Sequence, residues 1–257
     1  MALTKNEIKK LQSLGDSKFR RKEGIFVVEG TKSVNELLKN KQFEIESLYH
    51  LPEWENQHKI DCAQVVSTAD LKKISFLTNP QLVLAVVKIP VDSTNYNFTK
   101  NLILVLDGVR DPGNLGTILR ISDWFGINQI LLSKECADIY SPKVVQASTG
   151  SLFRSNCNVF EMSEILDHLT RSGFEICATD MNGESVLNHQ FSSKTALILG
   201  NEGSGLSYLS SENATKKLSI SRYGARPDGQ GHAESLNVGV ACGIFCQLYR
   251  AQFPINA

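Results

Sequence analysis

Residues 102–120 read LILVLDGVRDPGNLGTILR. The first five side chains are all apolar, which is typical of a parallel strand buried on both faces of a sheet. A turn at Pro112-Gly113 and the apolar spacing after it predict a helix over Leu115–Phe125. A buried strand that leads into a helix is the repeating unit of a parallel α/β sheet.

The same alternation of strand and helix continues through the rest of the chain. Further strands are predicted at Gln129–Ser133, Phe174–Asp180, Ala196–Leu199 and Lys217–Ile220. Further helices are predicted at Pro142–Ser148, Glu164–Ser172 and Ala233–Ala251. This pattern predicts a doubly wound parallel sheet, in which ligands bind at the carboxyl ends of the strands. The loops after Leu106, Asp180, Leu199 and Ile220 are therefore the expected location of the chemistry.

Residues 1–90 predict a smaller α/β sandwich. Helical patterns cover Asn6–Leu14, Thr31–Asn40 and Leu71–Ser75, and strand patterns cover Gly24–Gly30, Ile45–Leu51 and Leu82–Ile89. Residues 91–100 (VDSTNYNFTK) are polar and lack periodicity, which is typical of a linker. We therefore expect a domain at 1–90, a linker at 91–100 and a second domain at 101–257.

Composition limits the class of protein. With 42% hydrophobic and 21% charged residues, the chain can bury a substantial core. No apolar run is long enough to cross a membrane, and the first residues lack the apolar centre of a secretory signal, so a cytoplasmic location is expected. The six cysteines are scattered and form no zinc-binding spacing, so buried reduced thiols are expected and no metal is predicted.

Charge is balanced over the whole chain but not along it. The formal net charge is zero, yet basic side chains outnumber acidic ones in residues 1–24, which include Lys18, Arg20, Arg21 and Lys22. A charge cluster of this kind is typical of any solvated face and also of a phosphate-binding patch. Composition alone leaves both interpretations open.

Three loops of the second domain carry conspicuous polar residues. Asn114 occupies an expected helix N-cap position, and Arg120 follows six residues later. Gly200–Leu206 (GNEGSGL) is neither a P-loop nor a dinucleotide-binding fingerprint, and it holds a charged residue, Glu202, among its glycines. Ser235 and Asn237 are expected in the first turn of the last helix. Each pattern also has an ordinary structural interpretation as a cap, a glycine turn or a helix start.

Taken together, these segments resemble the three signature motifs of the SpoU branch of SPOUT RNA ribose methyltransferases, in the same order and separation. Residues 139–153 match a further stretch between the first two motifs, and residues 18–30 are similar to the start of the L30e-like substrate-binding domain that many of these proteins carry. The resemblance implies a C-terminal domain that contains a deep trefoil knot, S-adenosylmethionine as methyl donor, RNA as substrate and a homodimer formed through the knot region.

The resemblance also implies roles for individual residues. Contacts with the cofactor fall on Thr179, Met181, Leu199, Gly200, Asn201, Gly203, Ile220, Ser235 and Leu236. Residues near the reacting ribose are Asn114, Arg120, Glu202, Ser235 and Asn237, and RNA phosphates would be contacted by Lys18, Arg20, Arg21 and Lys22. A guanidinium is a poor base because its pKa is above about 12, so Arg120 is expected to align the hydroxyl with a phosphate.

The sequence departs from the family pattern in its third motif. Ser221 replaces the usual proline, and Arg222–Ala233 is longer than usual, so contacts there, including any by His232, are not carried over. The additional N-terminal domain favours ribosomal RNA over transfer RNA as substrate. A non-catalytic RNA-binding factor of the same fold is the alternative, and a dehydrogenase is disfavoured because the early G-x-G-x-x-G is missing.

Overall fold

A computed structural model describes residues 3–54, 60–90, 101–223 and 234–255. The predicted linker 91–100 and the part of the third-motif loop that contains His232 lie outside the described residues. The described helices are α1 Lys5–Ser13, α2 Ser17–Glu23, α3 Thr31–Leu38, α4 Thr68–Ile74, α5 Pro112–Trp124, α6 Pro142–Ser148, α7 Met162–Arg171, α8 Tyr208–Asn213 and α9 Val238–Gln252. The strands are β1 Ile25–Glu29, β2 Ile45–His50, β3 Ala63–Val65, β4 Val83–Lys88, β5 Leu102–Leu106, β6 Gln129–Ser133, β7 Asn156–Phe160, β8 Glu175–Ser185, β9 Thr195–Leu199 and β10 Lys216–Ser219.

Contacts between Cα atoms divide the chain into two compact units. The first comprises Met1–Asp92 and Asp138–Arg154, and the second comprises Ser93–Ala137 and Ser155–Ala257. The segment that contains α6 therefore belongs to the first unit, although the predicted division placed it within the continuous domain 101–257. The order of the segments along the chain did not indicate that residues 138–154 belong to the first unit.

The first unit is built on a four-stranded sheet with the order β1-β4-β2-β3. β4 pairs antiparallel with both β1 and β2, while β3 pairs parallel with β2. The segment from the middle of the chain joins this unit through aromatic packing, since the rings of Phe26 and Tyr140 lie 4.7 Å apart and those of Phe43 and Phe153 lie 5.1 Å apart. The predicted α/β sandwich is therefore present, with α6 added to it.

The second unit contains a six-stranded parallel sheet with the order β10-β8-β9-β5-β6-β7. β5, β6 and β9 are mostly apolar, and every residue in them is buried. On one face, α7 packs against β5, β8 and β9 through a core that includes Ile165, Leu169, Ile103 and Ile198. The predicted parallel α/β class is confirmed, whereas the trefoil knot that the resemblance implies stays a prediction.

Two predicted helix starts were wrong. α5 begins at Pro112, and its N-cap is Asp111, whose Oδ1 accepts a 2.8 Å hydrogen bond from the backbone N–H of Asn114. Asn114 therefore lies inside the first turn, and its side chain does not serve as the cap. α9 begins at Val238 because the Asn237 side chain accepts hydrogen bonds from the backbone N–H groups of Gly239 and Val240. Asn237 is thus the cap, and Ser235 precedes the helix.

Among the residues that the structure describes, no helix has both the length and the apolar character that a membrane span requires.

Candidate functional site

The loops that carry the first two motifs are attached to each other at the carboxyl edge of the parallel sheet. The Asp107 carboxylate accepts a 2.7 Å hydrogen bond from the Ser207 N–H, and the Asn201 side-chain amide donates a 2.7 Å hydrogen bond to the Gly108 carbonyl. β5 and β9 are neighbours in the sheet, so both loops leave it at the same edge. The strand order thus brings together two segments that are far apart in sequence.

Three predicted ribose-site residues form a continuous hydrogen-bonded chain, which we call the polar triad: Glu202, Asn114 and Asn237. The Asn114 Nδ2 donates to Glu202 Oε1 at 2.7 Å, and the Asn237 Nδ2 donates to Asn114 Oδ1 at 2.7 Å. Each member comes from a different motif. All donors in this chain point toward the Glu202 carboxylate, which fixes the orientation of both amides.

The polar triad continues into the start of α9. Asn237 Oδ1 accepts hydrogen bonds of 2.9 Å from the Gly239 N–H and 3.3 Å from the Val240 N–H. Close packing keeps this end of the helix against α5, because a Cβ at Gly239 would lie only 3.0 Å from Thr117 Cγ2. The cap that starts α9 is therefore also what holds the Asn237 amide toward Asn114.

The two other predicted ribose-site residues are not part of the polar triad. Arg120 is exposed on α5 and makes no hydrogen bond or ion pair with any residue that the structure describes. At about 100° per residue, its side chain leaves the helix about 120° around the axis from Asn114. Ser235 is exposed just before the Asn237 cap. Among the described residues, the structure thus joins three of the five and shows no partner for the exposed Arg120 side chain.

The glycine-rich loop of the second motif is held in one shape by its own residues. The backbones of Asn201 and Gly205 exchange hydrogen bonds of 2.9 and 3.0 Å, and Asn201 Oδ1 accepts from the N–H groups of Gly203 and Ser204. A Cβ at Gly200 would lie 2.7 Å from the Gly205 carbonyl carbon, so no other residue fits there. The Asn201 side chain therefore supports the loop, and Leu199 is fully buried at the end of β9.

The predicted cofactor residues Thr179 and Met181 lie in an irregularity of β8. Lys217 of β10 pairs with Ala178, but the next residue, Leu218, pairs with Glu184, so residues 179–183 leave the ladder. Gly183 makes this possible, because a Cβ there would lie 2.5 Å from the Lys217 carbonyl. Ser219 Oγ secures the irregularity by donating a 2.8 Å hydrogen bond to the Gly183 carbonyl. Sequence reasoning missed Gly183 and Ser219, because the predicted strand ended at Asp180 and Gly183 lay beyond it.

The candidate cofactor residues fit an adenosine-containing group. The set carries no charged side chain. Thr179 follows the last pair between β8 and β9, Leu199 ends β9 and Ile220 follows β10. Two apolar members are unusually exposed, Met181 at 70% and Leu236 at 50%. Exposed apolar side chains beside strand ends and a close-packed glycine loop are typical of a pocket that binds through backbone groups and apolar contacts.

A cavity of about 390 Å³ opens on another side of the same loops. Its lining includes Asp107, Arg110, Glu135 and Asn201, and it contains no member of the polar triad. A hydrogen bond from the Ser133 hydroxyl lowers the pKa of Glu135, and the Arg110 guanidinium lowers it further. Sequence reasoning missed this cavity because its lining residues come from four separate segments.

The predicted RNA-binding residues separate into two groups on α2. Lys18, Arg21 and Lys22 are exposed. Arg20 is only 2% exposed, and its guanidinium donates to Asp138 Oδ2 at 2.6 Å and to the Leu14 carbonyl at 2.7 Å. The Arg20 side chain therefore joins the inserted segment 138–154 to α2 within the first unit, and it is not available to a phosphate.

Comparison with known proteins gives consistent results. Residues 101–247 match the SpoU rRNA Methylase family, and residues 5–85 match the MRM3-like substrate binding domain. The chain is 30% identical over 243 residues to the 23S rRNA (guanosine(2553)-2'-O)-methyltransferase of Bacillus subtilis, with 93% of each chain covered.

Solved structures agree with this match. A putative RNA methyltransferase of the TrmH family from Porphyromonas gingivalis is 35% identical, with a TM-score of 0.84 over 97% of this chain and 99% of the other. An AdoMet-bound rRNA methyltransferase from Sinorhizobium meliloti is 25% identical, with a TM-score of 0.85 over 100% of this chain and 99% of the other. The motif loops, the parallel sheet and these matches lead to one conclusion: the chain belongs to the SpoU family and is an S-adenosylmethionine-dependent RNA methyltransferase.

Proposed function

We propose that this protein methylates a ribose 2'-hydroxyl in ribosomal RNA. The observation that carries the proposal is the polar triad, because it joins all three motifs into one exposed site beside the candidate cofactor residues. The Bacillus subtilis relative, named as a 23S rRNA 2'-O-methyltransferase, supports both the position of methylation and the class of RNA. Transfer RNA is the alternative substrate.

Different residues bind the cofactor and the ribose. Bound S-adenosylmethionine supplies an electrophilic methyl carbon, and its transfer to an oxygen leaves a neutral thioether. The cofactor is held, mainly through backbone and apolar contacts, by Thr179, Met181, Leu199, Gly200, Asn201, Gly203, Ile220, Ser235 and Leu236. Glu202 and Asn114 orient the ribose, and their fixed geometry lowers the cost of aligning the 2'-oxygen with the methyl carbon.

Arg120 acts on the RNA in this proposal. It is exposed and makes no ion pair with the described residues, so its guanidinium is available to bind a phosphate next to the reacting ribose. The hydroxyl proton leaves to that phosphate or to water, because a guanidinium does not accept protons near neutral pH. Its contribution is therefore alignment and charge stabilisation.

The first unit supplies affinity for RNA. Lys18, Arg21 and Lys22 lie exposed on α2, in the region that matches a substrate binding domain. They contact phosphates and give binding that weakens with salt. Arg20, although predicted as a fourth contact, is left out because its guanidinium is buried against Asp138.

A homodimer of the second unit completes the proposal. Trp124 on α5 is 84% exposed and Val240 on the adjacent α9 is 53% exposed. Large apolar side chains in such positions are typical of an interface between subunits. Light scattering of the active protein should give twice the mass of 28.4 kDa, and a single-chain mass would contradict the dimer. A cytoplasmic location stays a prediction.

The substrate is tested with the full chain, methyl-labelled S-adenosylmethionine and either ribosomal or transfer RNA. We expect label in ribosomal RNA, at a nucleotide whose 3' linkage becomes resistant to alkaline hydrolysis because the 2'-oxygen is blocked. Label only in transfer RNA would exclude ribosomal RNA as substrate. RNA binding without transfer to either RNA would favour the non-catalytic alternative.

A further inference from the structure

Three potential metal ligands meet outside the candidate methyl-transfer site, and we call them the Cys177 cluster: Glu175, Cys177 and His189. Glu175 and Cys177 are two residues apart on β8, so their side chains lie on the same face of the strand. His189 follows the short helical turn Val186–Asn188 and comes back to this face. The ligand atoms of all three residues lie within 4.8 Å of one another.

Two of the distances in this cluster are close to those between ligand atoms in tetrahedral coordination. His189 Nε2 lies 3.8 Å from Cys177 Sγ and 3.5 Å from Glu175 Oε2. Zinc bonds of about 2.3 Å to sulfur and about 2.0–2.2 Å to nitrogen or oxygen place tetrahedral ligand atoms roughly 3.4–3.6 Å apart. We propose that Glu175, Cys177 and His189 bind a divalent transition-metal ion of the zinc class.

The charges of the ligands suit such an ion. A thiolate and a carboxylate together balance a charge of +2, and the imidazole binds as the neutral form. Cys177 and His189 are buried, so the cluster is mostly shielded from water. Burial and the neighbouring Glu175 carboxylate raise the pKa of the Cys177 thiol in the absence of an ion. A bound cation reverses this effect because it stabilises the thiolate directly.

Surrounding groups hold the ligands in place. The Ser192 N–H donates a 3.0 Å hydrogen bond to Glu175 Oε2, which orients the carboxylate. Gln252, at the end of α9, donates to the His189 carbonyl at 2.9 Å and accepts from the Phe191 N–H at 2.9 Å. Such supporting hydrogen bonds are typical of the groups that position metal ligands.

The position of the cluster indicates a structural role for the ion. Glu175 and Cys177 are at the amino end of β8, ahead of the candidate cofactor residues Thr179 and Met181 in the same strand. An ion there would connect β8 to the segment before β9 and, through Gln252, to the end of α9. We therefore expect metal binding to raise stability and to leave the chemistry of methyl transfer unchanged.

Cobalt substitution tests the proposal directly. The full chain is stripped with a chelator and titrated with Co²⁺, followed by displacement with Zn²⁺. We expect a thiolate-to-cobalt charge-transfer absorption that saturates at one equivalent and disappears when Zn²⁺ is added. Zn²⁺ should also raise the melting temperature of the stripped protein. Absence of the absorption together with an unchanged melting temperature would overturn the proposal.

Variants identify the ligands. Cys177→Ser should lose the absorption, and His189→Gln and Glu175→Gln should bind Co²⁺ at least about tenfold more weakly. Cys246→Ser is the matched control, because Cys246 is an equally buried thiol whose side chain lies 3.9 Å from that of Cys242, outside the Cys177 cluster. Glu175 is the least buried ligand, so Glu175→Gln keeps the test decisive if Cys177→Ser does not fold. Unchanged binding in Glu175→Gln and His189→Gln would also overturn the site.

Discussion

The second unit contains two polar clusters whose surroundings differ. The polar triad lies at the carboxyl edge of the sheet, where Glu202 and Asn237 are exposed. The Cys177 cluster lies at the amino end of β8, where Cys177 is fully buried and His189 is 8% exposed. An exposed polar group can exchange a lost partner for water, but a buried one cannot. Damage to the triad should therefore appear in activity, and damage to the cluster in stability.

The first unit repeats this contrast within one helix. Adjacent residues of α2 have opposite surroundings, since Arg20 is buried against Asp138 and Arg21 is exposed. Both are arginines in one basic run, so a difference between their variants must come from burial. The predictions below separate the two kinds of residue, beginning with the largest expected effect.

Arg120→Ala should reduce the rate of methyl transfer by about 1,000-fold, because it removes the charged donor that is proposed to align the phosphate beside the reacting ribose. The free energy of unfolding should change by less than about 0.5 kcal/mol, since the side chain is exposed and makes no ion pair with the described residues. Single-turnover transfer and urea unfolding measure the two quantities.

Arg171→Ala is the matched control for this variant. Arg171 is also exposed on a helix of the second unit, and its only described ion pair is a 3.8 Å contact with Asp167. Its transfer rate should equal that of the wild type. Near-normal transfer by Arg120→Ala would remove Arg120 from the ribose site.

Arg20→Ala should lower the free energy of unfolding of the first unit by about 3 kcal/mol. The substitution leaves the Asp138 carboxylate without its guanidinium partner and the Leu14 carbonyl without its donor. The fluorescence of Trp54 reports this unit, because Trp54 is 5% exposed whereas Trp124 in the second unit is 84% exposed. An unfolding midpoint within error of the wild type would show that burial of Arg20 carries no structural role.

Much of the fold was predictable, and the errors have physical causes. Strands with long apolar runs, such as β5 and residues 196–199 of β9, were predicted because burial on both faces requires that composition. β7 was missed because Asn156–Phe160 contains two asparagines, a residue type that is depleted in strands, and lies at the edge of the sheet, where a fully apolar run is not required. The start of α5 was misplaced because Asp111 and Asn114 are both good caps, although Pro112 at the first helical position favours Asp111.

The candidate site was predictable only where its residues belong to motifs. Asn114, Glu202 and Asn237 were identified from the family resemblance, and the structure adds that their side chains are directly bonded. The Cys177 cluster could not be predicted, because no short spacing links Cys177 to His189 and their proximity depends on the turn at 186–188. The burial of Arg20 could not be predicted from the sequence either, since its partner Asp138 is distant along the chain.

Glu202→Gln should reduce methyl transfer by roughly tenfold, a smaller loss than that of Arg120→Ala. The glutamine oxygen can still accept from Asn114, but the hydrogen bond loses its charge, which costs about 1–1.5 kcal/mol. Asn114→Ala should have a larger effect alone, and the double variant should lose less than the product of the two single losses. Multiplicative losses would mean that the two side chains act independently despite the 2.7 Å bond between them.

Arg21→Ala should weaken RNA binding by about fivefold at physiological salt, because it removes one phosphate contact. The slope of log affinity against log salt concentration should become less steep by about 1. Unfolding of the first unit should not change, since Arg21 is exposed. Titration of labelled ribosomal RNA at several salt concentrations provides both values. The opposite result would be a wild-type salt slope in Arg21→Ala and a reduced slope in a folded Arg20→Ala protein. It would make the buried Arg20, and not Arg21, the residue that contacts RNA.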